Sequence, residues 1–296
     1  MEWSEGVTPC QILYTLSPGG SEVTAVIRSE RIHAMSLDDP STPGPAATDR
    51  LAVSLLDAVH STSPEILVFA ASDPALTEDL ALVLLKRSDL PAQALDRLSK
   101  NGGLMKNRKV KLAVVEHPRT PRHVSIPMVR HLFTFDLMQV ALTPVVPADI
   151  KMTAEEALLN RLERLPQGER LSLAHRASGR VAAELLHDPE QRVIHAALEN
   201  SRLTEAAVIK ALMRRHASVA LVTAVCNDSR WSARREIRIA LLRNRATPLG
   251  RALEFARSFP IALVREVLDD SQLPAAAKER LLASLEERGD RAEEGF

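Results

Sequence analysis

Three histidines, His117, His123 and His131, lie close together in the sequence, and imidazoles so grouped are candidates for zinc ligation or proton transfer. A zinc site needs three or four ligands. His123 and His131 stand eight apart, about two helical turns, with no cysteine or nearby carboxylate to complete a set. His117 occupies a turn position that Asp or Asn fills elsewhere in the chain, so a structural role explains it. The acid pairs Glu155-Glu156, Asp269-Asp270 and Glu286-Glu287 fall at expected helix starts or ends. The first pair follows Thr153 in what reads as a first helical turn, where negative charge suits the helix dipole. Gly102-Gly103 lacks the preceding strand and the spacing of a phosphate-binding loop, and no GxSxG or HExxH pattern occurs. His195 sits inside an apolar block and reads as a hydrogen-bonded core histidine. Neither metal, cofactor nor catalytic residue is expected, and the chain is not read as an enzyme.

The chemistry that remains is cationic. The formal net charge is +0, but the charges are segregated. Residues 1–85 carry 3 basic and 12 acidic side chains, whereas residues 86–131 and 201–251 each carry 11 basic and 3 acidic. Arg108 aligns with Arg235 and Lys111 with Arg238, and a spacing of three places both members of each pair on one helix face. Arg119, Arg122 and Arg130 extend the first patch; Arg230, Arg234, Arg243, Arg245 and Arg251 extend the second. Trp231 lies among these arginines: exposed, it would anchor a partner; buried, it would belong to the core. The candidate partner-binding set is therefore Arg108, Lys111, Arg119, Arg122, Arg230, Trp231, Arg235, Arg238 and Arg245. The alternative reading of the same arginines, 30 against 8 lysines, is that they solubilise exposed helix faces.

The elements that must position these residues are helices. The chain has 296 residues, 45% apolar and 26% charged, enough for one or two domains with a sizeable core. Aromatics make up 3%, so the core is built from Leu, Ala and Val, which favours close-packed helices over a β-sandwich. Cys10 and Cys226 stand far apart in no ligand spacing, which points to a reducing compartment. No apolar run reaches the roughly 20 residues of a membrane span, and no signal peptide is visible, so a cytoplasmic location is expected. Residues 1–47 read as an N-terminal arm rich in Gly, Pro, Ser and Thr, either weakly structured or folded as a short hairpin of 11–16 with 22–27 across Gly19-Gly20. Helical patterning begins at Thr48, which would cap a run over residues 51–59.

Beyond residue 63 a pattern recurs. Segments 64–101, 108–145, 191–228 and 235–270 each open with an apolar block and continue into a polar turn. The turns are Asp73-Pro74-Ala75-Leu76-Thr77, His117-Pro118-Arg119-Thr120-Pro121, Asn200-Ser201-Arg202-Leu203-Thr204 and Asn244-Arg245-Ala246-Thr247-Pro248. They stand 44, 83 and 44 residues apart, so a shortened unit over residues 169–186 fills the wide gap and the period is near 42. Asn, Asp or His opening each turn suits a left-handed residue at a helix end, and Thr or Pro then starts the next helix. A third helix follows Leu90-Pro91 or Phe259-Pro260, which makes three short helices per unit.

The blocks Asp188-Pro189-Glu190-Gln191-Arg192-Val193 and Asn244-Arg245-Ala246-Thr247-Pro248 resemble HEAT-like superhelical repeats, the leucine-rich repeat variant group in particular, over residues 63–285. The resemblance implies an all-α fold: an α-solenoid of about five HEAT-like or armadillo-like units over residues 48–296, with an irregular insertion near 144–168 that carries a longer helix over 154–165. It implies a scaffold or adaptor, bacterial-type and cytoplasmic, that binds a protein partner. The alternative is a HEAT-like protein that binds the nucleic-acid phosphate backbone. Some HEAT-like proteins are DNA glycosylases, but here no acid can be assigned beside Trp231.

Overall fold

The computed structural model describes residues 55–215 and 217–293, with 287–293 by backbone alone, and the backbone of three short strands. Strands β1 (Leu13–Leu16) and β2 (Val23–Val26) pair antiparallel, Leu13 opposite Val26 and Leu16 opposite Val23. Strand β3 (Ala52–Val53) adds to β2, so the helical run expected from residue 51 starts only at Leu55. The Gly19-Gly20 turn, Thr48, Cys10 and the rest of the expected arm lie outside the described residues. From Leu55 onward every described regular element is helical.

The chain forms two compact units, residues 1–125 and 126–296. The first holds α1 (Leu55–His60), α2 (Pro64–Ser72), α3 (Glu78–Leu85), α4 (Ala92–Lys100) and α5 (Arg108–Glu116). Their starts follow from local chemistry. Pro64 opens α2, the Thr77 hydroxyl accepts the Leu80 N–H at 3.4 Å, and Asn107 Oδ1 accepts the N–H groups of Lys109 and Val110. Helix α1 packs on α3, α2 on α4 and α3 on α5, which buries Leu67, Leu84, Leu95 and Val110. Helix α6 (Arg122–Val129) crosses from one unit into the other.

In the second unit α7 (Thr134–Leu142) and α8 (Ala148–Leu159) form a hairpin. They precede α9 (Gln167–Arg176), α10 (Gly179–Leu185), α11 (Gln191–Glu199), α12 (Glu205–Leu212) and α13 (Val219–Asn227). The short α14 (Ser229–Ser232) then leads to α15 (Arg235–Arg243), α16 (Leu249–Arg257), α17 (Ile261–Asp269) and α18 (Ala275–Glu293). Two rows result. Helices α8, α10, α12, α15 and α17 pack in succession, as do α9, α11 and α13, and α18 packs on α16. Leaving aside the four-residue α14, the packing step is thus two helices, not the three expected from the turns: a 44-residue turn spacing spans three helices, whereas each helix finds its neighbour about 28 residues on, as from Gln191 to Val219.

Helix bounds also recur at an offset of 127 residues (64 to 191). Helices α2, α3, α4, α5 and α7 share their offset limits with α11, α12, α13, α15 and α17. The buried positions recur with them, Leu67 with Ile194, Leu76 with Leu203, Leu104 with Trp231 and Val114 with Leu241. Helix α8 starts after Pro147 and α18 after Pro274, so the stretch read as an insertion has a counterpart at the end of the chain. Because Pro147 starts α8 early, the helix expected over 154–165 covers Ala148–Leu159 instead. Glu155 and Glu156 therefore lie in its second half, away from the positive N-terminal end of the helix dipole that was to explain them.

The recurring turns are built differently from the sequence expectation. Asp73, His117, Asn200 and Asn244 all have φ between −59° and −88° with ψ between 124° and 130°, so none is left-handed. Instead the side chain accepts the backbone N–H two residues on: Ala75 at 2.8 Å, Arg119 at 3.2 Å, Arg202 at 2.8 Å and Ala246 at 2.9 Å. A side-chain acceptor mimics a backbone turn, so the left-handed conformation is not needed. Three of the four also reach back to an earlier helix end. His117 Nε2 meets the Arg87 carbonyl at 2.8 Å, Asn200 Nδ2 donates to the carbonyls of Ala174 and Ala177, and Asn244 Nδ2 donates to that of Leu212. Since His117 Nδ1 accepts, its Nε2 carries the proton.

Candidate interaction surfaces

The arginines divide by what they touch. Several serve as staples to backbone carbonyls at helix ends, which have no partner within the helix, or in the turns just beyond them. Arg87 Nη1 donates to the Val59 carbonyl at 3.1 Å, Arg119 Nη1 to that of Asp89 at 3.0 Å, Arg161 Nη1 to that of Leu132 at 2.8 Å and Arg202 Nη1 to that of Arg176 at 3.3 Å. Arg251 bonds the Cys226 carbonyl in the same manner. This accounts for part of the excess of Arg over Lys: a planar fork can hold a carbonyl while its stem covers apolar surface.

Among the sequence-derived candidates in the first unit, Arg108, Arg119 and Arg122 are exposed and Lys111 is half-buried. Arg119 is engaged by its bond to Asp89. In the second unit Arg230, Arg235 and Arg245 are exposed, and Arg235 approaches Glu236 at 3.6 Å. Arg238 is half-buried: its Nε donates to the Ser232 carbonyl at 2.6 Å and its guanidinium lies over Phe255.

Trp231 is not an exposed anchor. It is 0% exposed, its indole N–H donates to the Leu198 carbonyl at 2.9 Å, and its ring packs beneath the guanidinium groups of Arg230 and Arg234 at 4.6 and 5.0 Å. Asp228 Oδ1 accepts the N–H groups of Arg230 and Trp231 and so fixes the turn that inserts the ring. His195, expected in the core, is exposed on α11: the helix turns that position away from its neighbours while Val193, Ile194, Ala196 and Ala197 are buried.

His123 Nε2 lies 3.3 Å from Asp96 Oδ1, and Lys100 bonds the same carboxylate at 2.7 Å; the hydrogen bonds from Lys100 and then His123 hold the Asp96 carboxyl below its ordinary range. Among the described residues no group of three or more His, Cys, Asp or Glu side chains could hold a metal ion. Burial pushes the Cys226 thiol up to about 11, so at neutral pH it is a protonated, inert core residue. No described helix is long and apolar enough to cross a membrane.

A feature absent from the sequence reading is a groove of about 460 Å³ between α8, α10 and α12. Arg180, Glu184 and His187 line one side at positions i, i+4 and i+7, and Lys210 and Arg214 line the other at i and i+4. That spacing is the signal that could have found them. Arg214 holds Glu184 in a two-pronged pair, 3.0 and 2.8 Å, which lowers the Glu184 carboxyl and raises the arginine. Burial, then the nearby Arg214 charge, lowers the His187 imidazole, so the groove's positive charge comes from Arg180, Lys210 and Arg214. The floor is apolar, with Leu159, Ala183, Ala207 and Ala211.

No protein-family model, no curated protein and no solved structure matches this chain.

Proposed function

We propose that this chain is a HEAT-like α-solenoid, stacked in two-helix steps, that acts without catalysis, as a scaffold or adaptor holding a protein partner. The observation that carries this reading is the helix-on-second-helix packing within each unit, the step by which helical repeats stack and leave long surfaces exposed. The exposed cations Arg108 and Arg122 in the first unit and Arg230, Arg235 and Arg245 in the second are surface features that an acidic partner would meet. Trp231 drops out of that surface because it is buried, and the half-buried Arg238 is engaged by the Ser232 carbonyl.

The test is capture of partners by the full chain at low and high salt, with and without nuclease, identified by mass spectrometry and then rebound as purified protein. A partner kept through nuclease and high salt, and weakened at least tenfold by the combined substitutions R108E, R235E and R245E, supports the reading. Loss of every partner on nuclease treatment overturns it in favour of phosphate-backbone binding, whose affinity falls steeply with salt.

A further inference from the structure

We propose that the groove between α8, α10 and α12 receives a short peptide segment of a partner in which a carboxylate side chain stands next to an apolar one. This rests on the scaffold reading and names the chemistry of one contact. The groove is concave, about 460 Å³, within the size range of ligand sites. Its charged end is asymmetric. Arg180, Lys210 and Arg214 face the space against one carboxylate, Glu184, which is already satisfied by both prongs of Arg214. Arg180 is exposed and only loosely held, 3.6 Å from Glu155, and Lys210 is exposed on α12. Lys210, and Arg180 in exchange for its long pair with Glu155, therefore offer two cations to one incoming carboxylate.

A second concavity of about 350 Å³ continues on the other side of Glu184 and His187, over Leu162, Leu185 and Pro189. Leu159 lines both spaces, so an apolar floor runs from the cationic end beneath that ridge. At the far end the charges no longer favour an anion: Glu163 is exposed, and Arg170 is spent on Asp188 at 2.7 Å. A nucleic-acid backbone laid along this path would meet Glu184 and Glu163 with successive phosphates, whereas an acidic side chain followed by an apolar one matches the order of cations and floor.

Gly179 supports the wall. A Cβ there would stand 2.3 Å from the Arg202 carbonyl, so the first turn of α10 lies directly against the α11–α12 turn, and Arg180 is presented from a closely packed backbone.

The experiment is selection of random dodecapeptides displayed on phage against the full chain, followed by titration of synthetic selected peptides. The expected result is a consensus with Asp or Glu beside Leu, Ile or Phe, and at least a tenfold loss of affinity for the R180E/K210E chain. A207L, which fills the floor without changing charge, is expected to lose at least as much, and circular dichroism checks that both variants fold. Peptides without an acid, or acidic peptides indifferent to both variants, overturn the proposal. So does a twelve-nucleotide single-stranded DNA that displaces the peptides and outbinds them at 150 mM salt. If the purified partner binds R180E/K210E as well as the parent chain, the groove proposal fails while the scaffold reading stands; loss of every partner to nuclease removes the scaffold reading itself.

Discussion

Replacing Asn200 by alanine removes three hydrogen bonds at a position that is 1% exposed. The amide donates to the Ala174 carbonyl at 2.7 Å and the Ala177 carbonyl at 3.1 Å, and its oxygen accepts the Arg202 N–H at 2.8 Å. Each such bond contributes about 1 kcal/mol net, and a carbonyl left buried without a partner costs more. The expected loss is about 3 kcal/mol, roughly a 150-fold change in the folded-to-unfolded ratio. Asn200→Asp separates the two functions of the side chain. It keeps the acceptor for Arg202 but sets a carboxylate against two carbonyls, so at pH 7 it should cost at least as much as alanine. Because those carbonyls favour the protonated acid, its folded pKa lies above the unfolded one, and the variant should recover relative to the parent as pH falls. The assay is urea unfolding of the full chain in a Trp3→Phe background, where Trp231 alone reports. Asp73→Ala, which loses the equivalent turn bond to Ala75, serves as a control at about 1 kcal/mol. A loss under about 1 kcal/mol for Asn200→Ala, or an aspartate variant as stable as the parent at pH 7, would refute the idea that this residue ties two helix ends together.

Trp231→Ala should destabilise the second unit by about 3–5 kcal/mol, and Trp231→Phe by markedly less because most of the volume is kept; calorimetry of both variants checks the order. Gly179→Ala should cost about 1–3 kcal/mol, because the new Cβ meets backbone, the Arg202 carbonyl, that cannot swing aside. The Arg214–Glu184 pair is half-exposed, so Arg214→Gln should cost under about 1 kcal/mol at pH 7. Since Glu184 is held below its usual range, that contribution is present above the ordinary Glu pKa and disappears as pH falls through the lowered value. Urea midpoints of parent and variant should therefore converge in acid; a constant difference from pH 7 to pH 3 would contradict this.

Much of the helical architecture was legible because local chemistry marks it. Pro64, Thr77, Pro91 and Pro260 start helices where the spacing places them, and the Asp73, His117, Asn200 and Asn244 turns each separate two helices. What a turn does beyond its own five residues was not legible. The Asn200 amide is satisfied by carbonyls more than twenty residues back, and nothing in the turn sequence names them. The packing step was misread for the same reason, since the turns recur over three helices while contacts recur over two. The sequence left Trp231 open between surface and core and set Arg238 on the candidate surface, because the neighbours of both are arginines. Those neighbours lie over the indole ring, and the partners of both residues are backbone carbonyls that carry no sequence signature. The groove was missed because its cations come from two helices whose juxtaposition depends on the packing step.

The staples between helix ends also bear on how this chain folds. Those from Arg87, Arg119, Asn200, Arg202, Trp231 and Asn244 join residues 23 to 33 apart in sequence. Closing loops this short costs little entropy, and three or four consecutive helices already contain a complete set of such contacts. A nucleus can therefore form at several places along the chain and grow helix by helix, which is the low-contact-order regime of rapid folding. It also means that a break at one staple need not spread: an array held by neighbour contacts can open locally while distant helices keep their structure.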